Sequence, residues 1–236
     1  MNQHINKAKE IFNEHKLEKY IEILLNYWEN SPPVLGHGFH HALSVAVEAY
    51  VLGQLNEYNS SKDLFIGGLF HDIYRPAFDG TGNEDQTKGA EITESLLKKE
   101  GVDNSLVEKI IHMINSHDDW RDQEEPPQYD LLLSIADKIC ISYMHSDTYV
   151  WSVNRYCISN GLEPKMTSYF DNLVLWLKYQ KRAWEVFYKY KGKVKGIEKA
   201  IQSYIDSTKD AFKKYENDPE NISYFDYFDK IAREAT

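Results

Sequence analysis

The sequence predicts an all-α protein, and three observations carry that reading. Gly (12) and Pro (7) are scarce among 236 residues, and few chain punctuators favour long helices over a many-turned β protein. Apolar residues recur at intervals of three and four over several segments. No convincing run of alternating, period-2 strand pattern appears.

The elements follow in order. Leu17, Tyr20, Ile21, Leu24, Leu25 and Trp28 form one helical stripe, which Ser31-Pro32-Pro33 ends. A helix from His41 to about Leu55 repeats Leu43, Ala46, Val47, Tyr50 and Val51 at the same spacing. Leu64 to Tyr74, LFIGGLFHDIY, is apolar on nearly every face and too short to span a membrane, so it reads as a buried core helix. Pro76 to about Thr87 is expected to be a loop. A helix then runs from Gly89 to Glu100, where Gly101 ends it. Another spans about Ser105 to Ser116, with Val107, Ile110, Ile111 and Ile114 as its stripe. After Pro126-Pro127, Asp130 to Ser142 is a second buried helix, rich in Leu and Ile.

The last third is aromatic-rich, with Trp151, Trp176 and Trp184. Two amphipathic helices are expected there, marked by Leu173, Trp176, Leu177, Trp184 and Phe187, and by Ile197, Ala200, Ile201, Tyr204, Ile205 and Phe212. The basic run from Lys189 to Lys195 reads as a solvated turn between them. The organisation is an N-terminal helical segment over 1–34, a core over 35–145 and a helical C-terminal extension over 146–236, all of one domain.

Composition narrows the function. Apolar residues at 42% and charged residues at 27% suit a folded, soluble globular chain. Acidic residues (37) outnumber basic ones (27), for a formal charge of −10. Such a field repels phosphate backbones, so nucleic acid is not an expected partner. A small anionic substrate requires a metal or local basic groups to reverse the potential at one site. Two cysteines, Cys140 and Cys157, form no disulfide framework and fit a reducing compartment. The first residues lack an apolar signal-peptide region, and no stretch reaches about 18 apolar residues. A cytoplasmic protein without a membrane partner is therefore expected.

Three polar placements conflict with their apolar surroundings. His71-Asp72 ends the run LFIGGLF; burying an imidazole beside a carboxylate is costly unless a cation pairs with them. Asp137 sits in LLLSIADKICIS, a carboxylate in the middle of a buried helix. His37, His40 and His41 open an amphipathic helix, and His37 and His41, four apart, can face the same way. Each feature alone has an ordinary explanation: a surface pair, a cap or ion-pair member, a solvated helix start. Together, one of these histidines, the His-Asp pair and the distant Asp supply two imidazoles and two carboxylates. That mixed nitrogen and oxygen set suits one divalent ion of Mn, Fe, Ni, Zn, Co or Mg, with positions left for water and substrate.

These residues resemble the HD-domain superfamily of metal-dependent phosphohydrolases. The family pattern H…HD…D would here be His41, His71-Asp72 and Asp137, and HGFHHALSV, GGLFHDIY and SIADKI resemble its motif contexts. The stretch from His71 through Pro76 to Asn83-Glu84 is similar to a bacterial subgroup of HD phosphohydrolases in which an Asn-Glu pair follows the motif. The resemblance implies an all-α HD core in which the four ligands converge about 2.0–2.3 Å from one ion. It also implies hydrolysis of a small phosphate ester or anhydride, such as a nucleotide, by metal-activated water. The family often has a histidine at the position of His117, lining the site or binding a second metal. Dinuclear members carry a further histidine where this chain has Asp85, and no histidine lies between Asp72 and His112; that departure favours one metal. Near the motif, Arg75 and Lys138 are candidate phosphate ligands, and Glu84 is a candidate for orienting water or relaying a proton. His112 lies off the apolar stripe near Glu108 and is expected to face solvent. Two alternatives stand beside the hydrolase: an HD-fold di-iron oxygenase, and a non-catalytic helical binding module with a vestigial metal site.

Overall fold

The structure is a computed structural model; it describes residues 2–31, 38–74, 83–117, 125–143, 189–198 and 202, with the side chains of 2–5, 83–85 and 141–143 outside that description. The described residues are helical, without strands: α1 (Asn2–His15), α2 (Glu18–Asn30), α3 (Phe39–Leu55), α4 (Ser61–Phe70), α5 (Asn83–Lys99), α6 (Asn104–Ser116) and α7 (Gln128–Tyr143). The aromatic-rich stretch through Trp151, Trp176 and Trp184, and most of the expected final helix, lie outside the described residues.

Helix α4 is the axis of the fold. Every residue from Asp63 to Phe70 is buried, as its unbroken apolar run requires. Helices α2, α3, α6 and α7 all pack on it, α3 also packs on α1 and α7, and α5 packs on α6. Helices α3 and α4 approach closely. A Cβ built on Gly68 would stand 2.6 Å from the Ala46 Cα and 2.7 Å from its nitrogen, so only glycine allows the two backbones to meet there. That contact lies one turn before His71 on α4 and five residues after His41 on α3.

The ends of the helices have local causes. Asp103 caps α6 by accepting from the Ser105 and Leu106 amides. Gly101, at φ 66, ends α5 with Val102 N–H donating to the Leu97 carbonyl and Gly101 N–H to that of Lys98, the αL closure expected of a glycine. Helix α4 stops at Phe70 rather than running to Tyr74. The His71 Nδ1–H donates to the Gly68 carbonyl at 2.8 Å, and Ile73 N–H closes a turn onto Phe70. Helix α5 begins at Asn83, inside the expected loop.

The N-terminal segment holds two helices, divided at Lys16 with φ 54. On α2, Tyr20, Ile23, Leu24 and Trp28 are buried while Leu25 is 40% exposed, so the buried face is rotated from the expected stripe. The Trp28 indole N–H reaches across to the Ile73 carbonyl at 3.0 Å. Residues 189–198 pack back on the core through Tyr190, Val194 and Ile197. The Asn56 side chain pairs with both the N–H and the carbonyl of Lys195. The lysines of this turn are exposed.

Candidate metal centre

The site forms where the first turn of α3, the end of α4 and the middle of α7 meet. His41 is brought by α3, His71 and Asp72 by the turn that leaves α4, and Asp137 by α7; all four are buried. His41 Nε2 lies 3.2 Å from His71 Nε2, 3.5 Å from Asp72 Oδ2 and 3.3 Å from Asp137 Oδ1. His71 Nε2 lies 3.1 Å from Asp72 Oδ2 and 3.5 Å from Asp137 Oδ1. Donors spaced this way fit neighbouring positions around one ion, since ligands at about 2.0–2.2 Å stand roughly 3 Å apart. His41, His71 and Asp137 can hold a metal ion together, and Asp72 adds a carboxylate oxygen to the same cluster.

The orientation of the donors is built in. A carbonyl only accepts, so the nitrogen that His71 turns to Gly68 must carry a proton, and in the neutral ring it is Nε2 that presents its lone pair to the centre. Lys138 Nζ holds Asp137 Oδ2 at 2.6 Å, while Oδ1 is the oxygen nearest the imidazoles. The lysine thus takes as its partner the neighbouring aspartate, despite the roughly 100° between successive helix positions; its long stem curls back.

The electrostatics show what the cluster lacks. Burial disfavours a charge on His71, yet Asp72 and Asp137 outweigh it and push the imidazole up to about 10. Burial opposes His41 in the same way, and hydrogen bonds to Asp137 and Asp72 raise it nonetheless. Burial would raise the Asp137 carboxyl, but Lys138 and the two imidazoles hold it well below the usual carboxylate range. Among the described residues two carboxylates stand against one ammonium, which leaves negative charge in a desolvated place and calls for protons or a cation.

His117 is buried, and its ring stands edge-on to His71 with centroids 5.4 Å apart. Its Nδ1–H donates to the Ile114 carbonyl at 2.7 Å, which leaves Nε2 as the basic nitrogen. His112 is exposed, as expected, and its Nδ1 also meets Asp130 Oδ2 at 3.0 Å while its ring stands edge-on to Tyr129. Arg75 and His37 lie outside the described residues, as does the side chain of Glu84, whose backbone belongs to the first turn of α5.

Sequence reasoning missed three contributors. Asp130 is buried two turns before Asp137 on the same face of α7, and a seven-residue spacing of carboxylates in an apolar helix was a usable signal. Gly68 could have been read as a helix crossing. The Trp28 bond to Ile73 has no local signal, because its partner lies 45 residues along the chain.

Residues 38–141, which contain all four converging side chains, match the family model described as HD domain. No curated protein and no solved structure matches the chain. The segment is similar to HD domains, and among the described residues no helix is long and apolar enough to cross a membrane.

Proposed function

We propose that this HD-domain chain is a hydrolase of a small phosphate ester or anhydride, with a nucleotide as the first candidate, dependent on one divalent metal ion. The observation that supports it is the convergence of His41, His71, Asp72 and Asp137 within 3.1–3.5 Å across each imidazole nitrogen. A divalent ion held there supplies Lewis acidity toward a phosphoryl oxygen and lowers the pKa of water. The chain's own part is to aim the donors: Gly68 fixes the His71 tautomer, and Lys138 restrains Asp137. In this reading His117 contacts water or phosphate at the edge of the site, Arg75 and Lys138 stabilise phosphoryl charge, and Glu84 orients water or relays a proton. The acidic chain acts on a small substrate in the cytoplasm, without nucleic acid or membrane as partner.

The test is a phosphate-release screen over nucleotides and sugar phosphates with Mn, Fe, Ni, Zn, Co and Mg, run beside elemental analysis. The expected result is release that requires a metal and disappears in His71→Ala and Asp72→Ala. A metal-free protein with no release under any condition favours the non-catalytic module. One observation favours a second reading: the basic nitrogen of His117 lies on a ring against His71, an extra imidazole of the kind a di-iron oxygenase needs. Two tightly bound irons and oxygen consumption would select that reading.

A further inference from the structure

The turn that carries His71 and Asp72 is held from three sides. Inside it, Ile73 N–H donates to the Phe70 carbonyl at 3.0 Å, and His71 Nδ1–H to that of Gly68 at 2.8 Å. The third tie comes from elsewhere: the Trp28 indole N–H donates to the Ile73 carbonyl at 3.0 Å. Trp28 is 8% exposed and Ile73 is 1% exposed, so water is a poor substitute for that donor, and a buried carbonyl without a partner is costly. The accepting carbonyl belongs to the residue directly after Asp72. That carbonyl lies in the Ile73–Tyr74 peptide plane, so the tie anchors the chain at Ile73, one residue beyond Asp72, whose side-chain Oδ2 is part of the cluster. Helix α2 lies outside the matched HD segment, so this tie is an addition by the chain's N-terminal region.

We infer that Trp28 is a positioning residue for the metal centre, acting through the Ile73 carbonyl to hold His71 and Asp72 in their converging geometry. The inference rests on the metal-dependent reading for its consequence and on the hydrogen bond alone for its geometry. A helix that served only as packing would need an apolar side chain here. The indole instead spends its one polar atom on the turn that carries two of the four donors.

The experiment compares the full-length wild type with Trp28→Phe, which keeps an aromatic ring and loses the donor. The control is Leu24→Ala, one turn earlier on α2, where a fully buried side chain is truncated without touching the hydrogen bond. Two readouts are taken at a temperature where all three are folded: Mn2+ affinity by calorimetry, and amide hydrogen exchange over residues 70–74. Trp28→Phe is expected to weaken Mn2+ binding by about tenfold, as loss of an outer-shell partner does, and to speed exchange in the turn. Leu24→Ala is expected to lower the melting temperature at least as far while leaving both readouts near wild type. Equal Mn2+ affinity and equal exchange in Trp28→Phe and Leu24→Ala would overturn the inference. If the wild type takes up no Mn2+ or other divalent ion, the hydrolase reading fails, and the exchange comparison alone decides whether Trp28 holds the turn.

Discussion

The two ends of α4 both bury carboxylates, and they resolve the charge in opposite ways. At the start of α4, Asp63 is buried and meets the Lys109 ammonium at 2.6 Å, with the lysine still partly in water. Hydrogen bonding to Asp63 raises Lys109, and the pair is complete as one charge against one. At the other end of α4, Asp72 and Asp137 share a desolvated space with two imidazoles and one ammonium. Among the described residues the charges there do not balance without protons or a metal. A buried acid with a matching cation is an element of structure; a cluster of acids that outnumbers the cations beside it among the described residues points to a ligand.

The largest expected effect tests that contrast directly. His71→Ala and Asp72→Ala should abolish metal content and turnover. Asp63→Ala should leave both intact and cost only stability, about 1.5–3 kcal/mol and toward the low end, because Lys109 can turn into solvent. Elemental analysis with thermal melts of the same proteins checks it; metal loss in Asp63→Ala would erase the distinction.

The next effect concerns the crossing that brings His41 to His71. Gly68→Ala places a methyl against the Ala46 backbone, which cannot step aside, and should weaken metal binding at least tenfold along with a lowered melting temperature. Gly67→Ala meets the Met113 Sδ and Cε at 3.0 Å. That is the far end of a flexible side chain, so a change within about 1 kcal/mol is expected. Calorimetric metal affinity for the two neighbours separates a helix-crossing requirement from a general intolerance of alanine.

A pH effect sharpens the comparison further. In the metal-free protein the folded-state pKa of His71 is raised, to about 10, above its ordinary 6.5, and that of His41 is raised as well. The protonated imidazoles therefore stabilise the fold fully below pH 6.5, and this contribution is lost as pH rises toward and through about 10. Chelated protein should melt progressively lower over that window, whereas metal-loaded protein should not. The same protons compete with metal, so affinity should fall as pH is lowered. A chelated protein whose melting point is flat over this window would show that the carboxylates are compensated in some other way.

The smallest effects separate the two histidines of α6. His117→Ala should reduce turnover more than metal content, given its place against His71. His112→Ala should change neither by much, since its partner Asp130 belongs to the seam between α6 and α7. Steady-state rates and metal content of the two variants check both statements.

Much of this was legible in the chain itself. The apolar run from Leu64 to Phe70 announced a central helix, because a segment apolar on every face has nowhere to go but the interior. The polar residues that interrupt such runs, His71-Asp72 and Asp137, stood out as chemistry for the same reason: burial makes them expensive. Glycine at 101 ended its helix as expected, since φ 66 suits a residue without a side chain. These are local or periodic facts, and periodicity needs no knowledge of the partner surface.

Other features depend on what lies across the fold. The rotation of α2 that exposes Leu25 and buries Ile23 is set by the surfaces it meets, as two apolar neighbours on a helix give no preference between faces. The early end of α4 comes with the His71 ring turning back to Gly68, and Lys138 pairs with Asp137 beside it. Asp130 with His112, and Trp28 with Ile73, are contacts between residues far apart in the chain, which no local pattern encodes. The amino-acid sequence by itself marked the segments of α2 to α7 as helical, though not α1, and showed which polar groups must be compensated, because both follow from burial and period. Only the tertiary structure decided which groups compensate them, because a hydrogen bond or a shared metal position depends on ångström distances between separate helices.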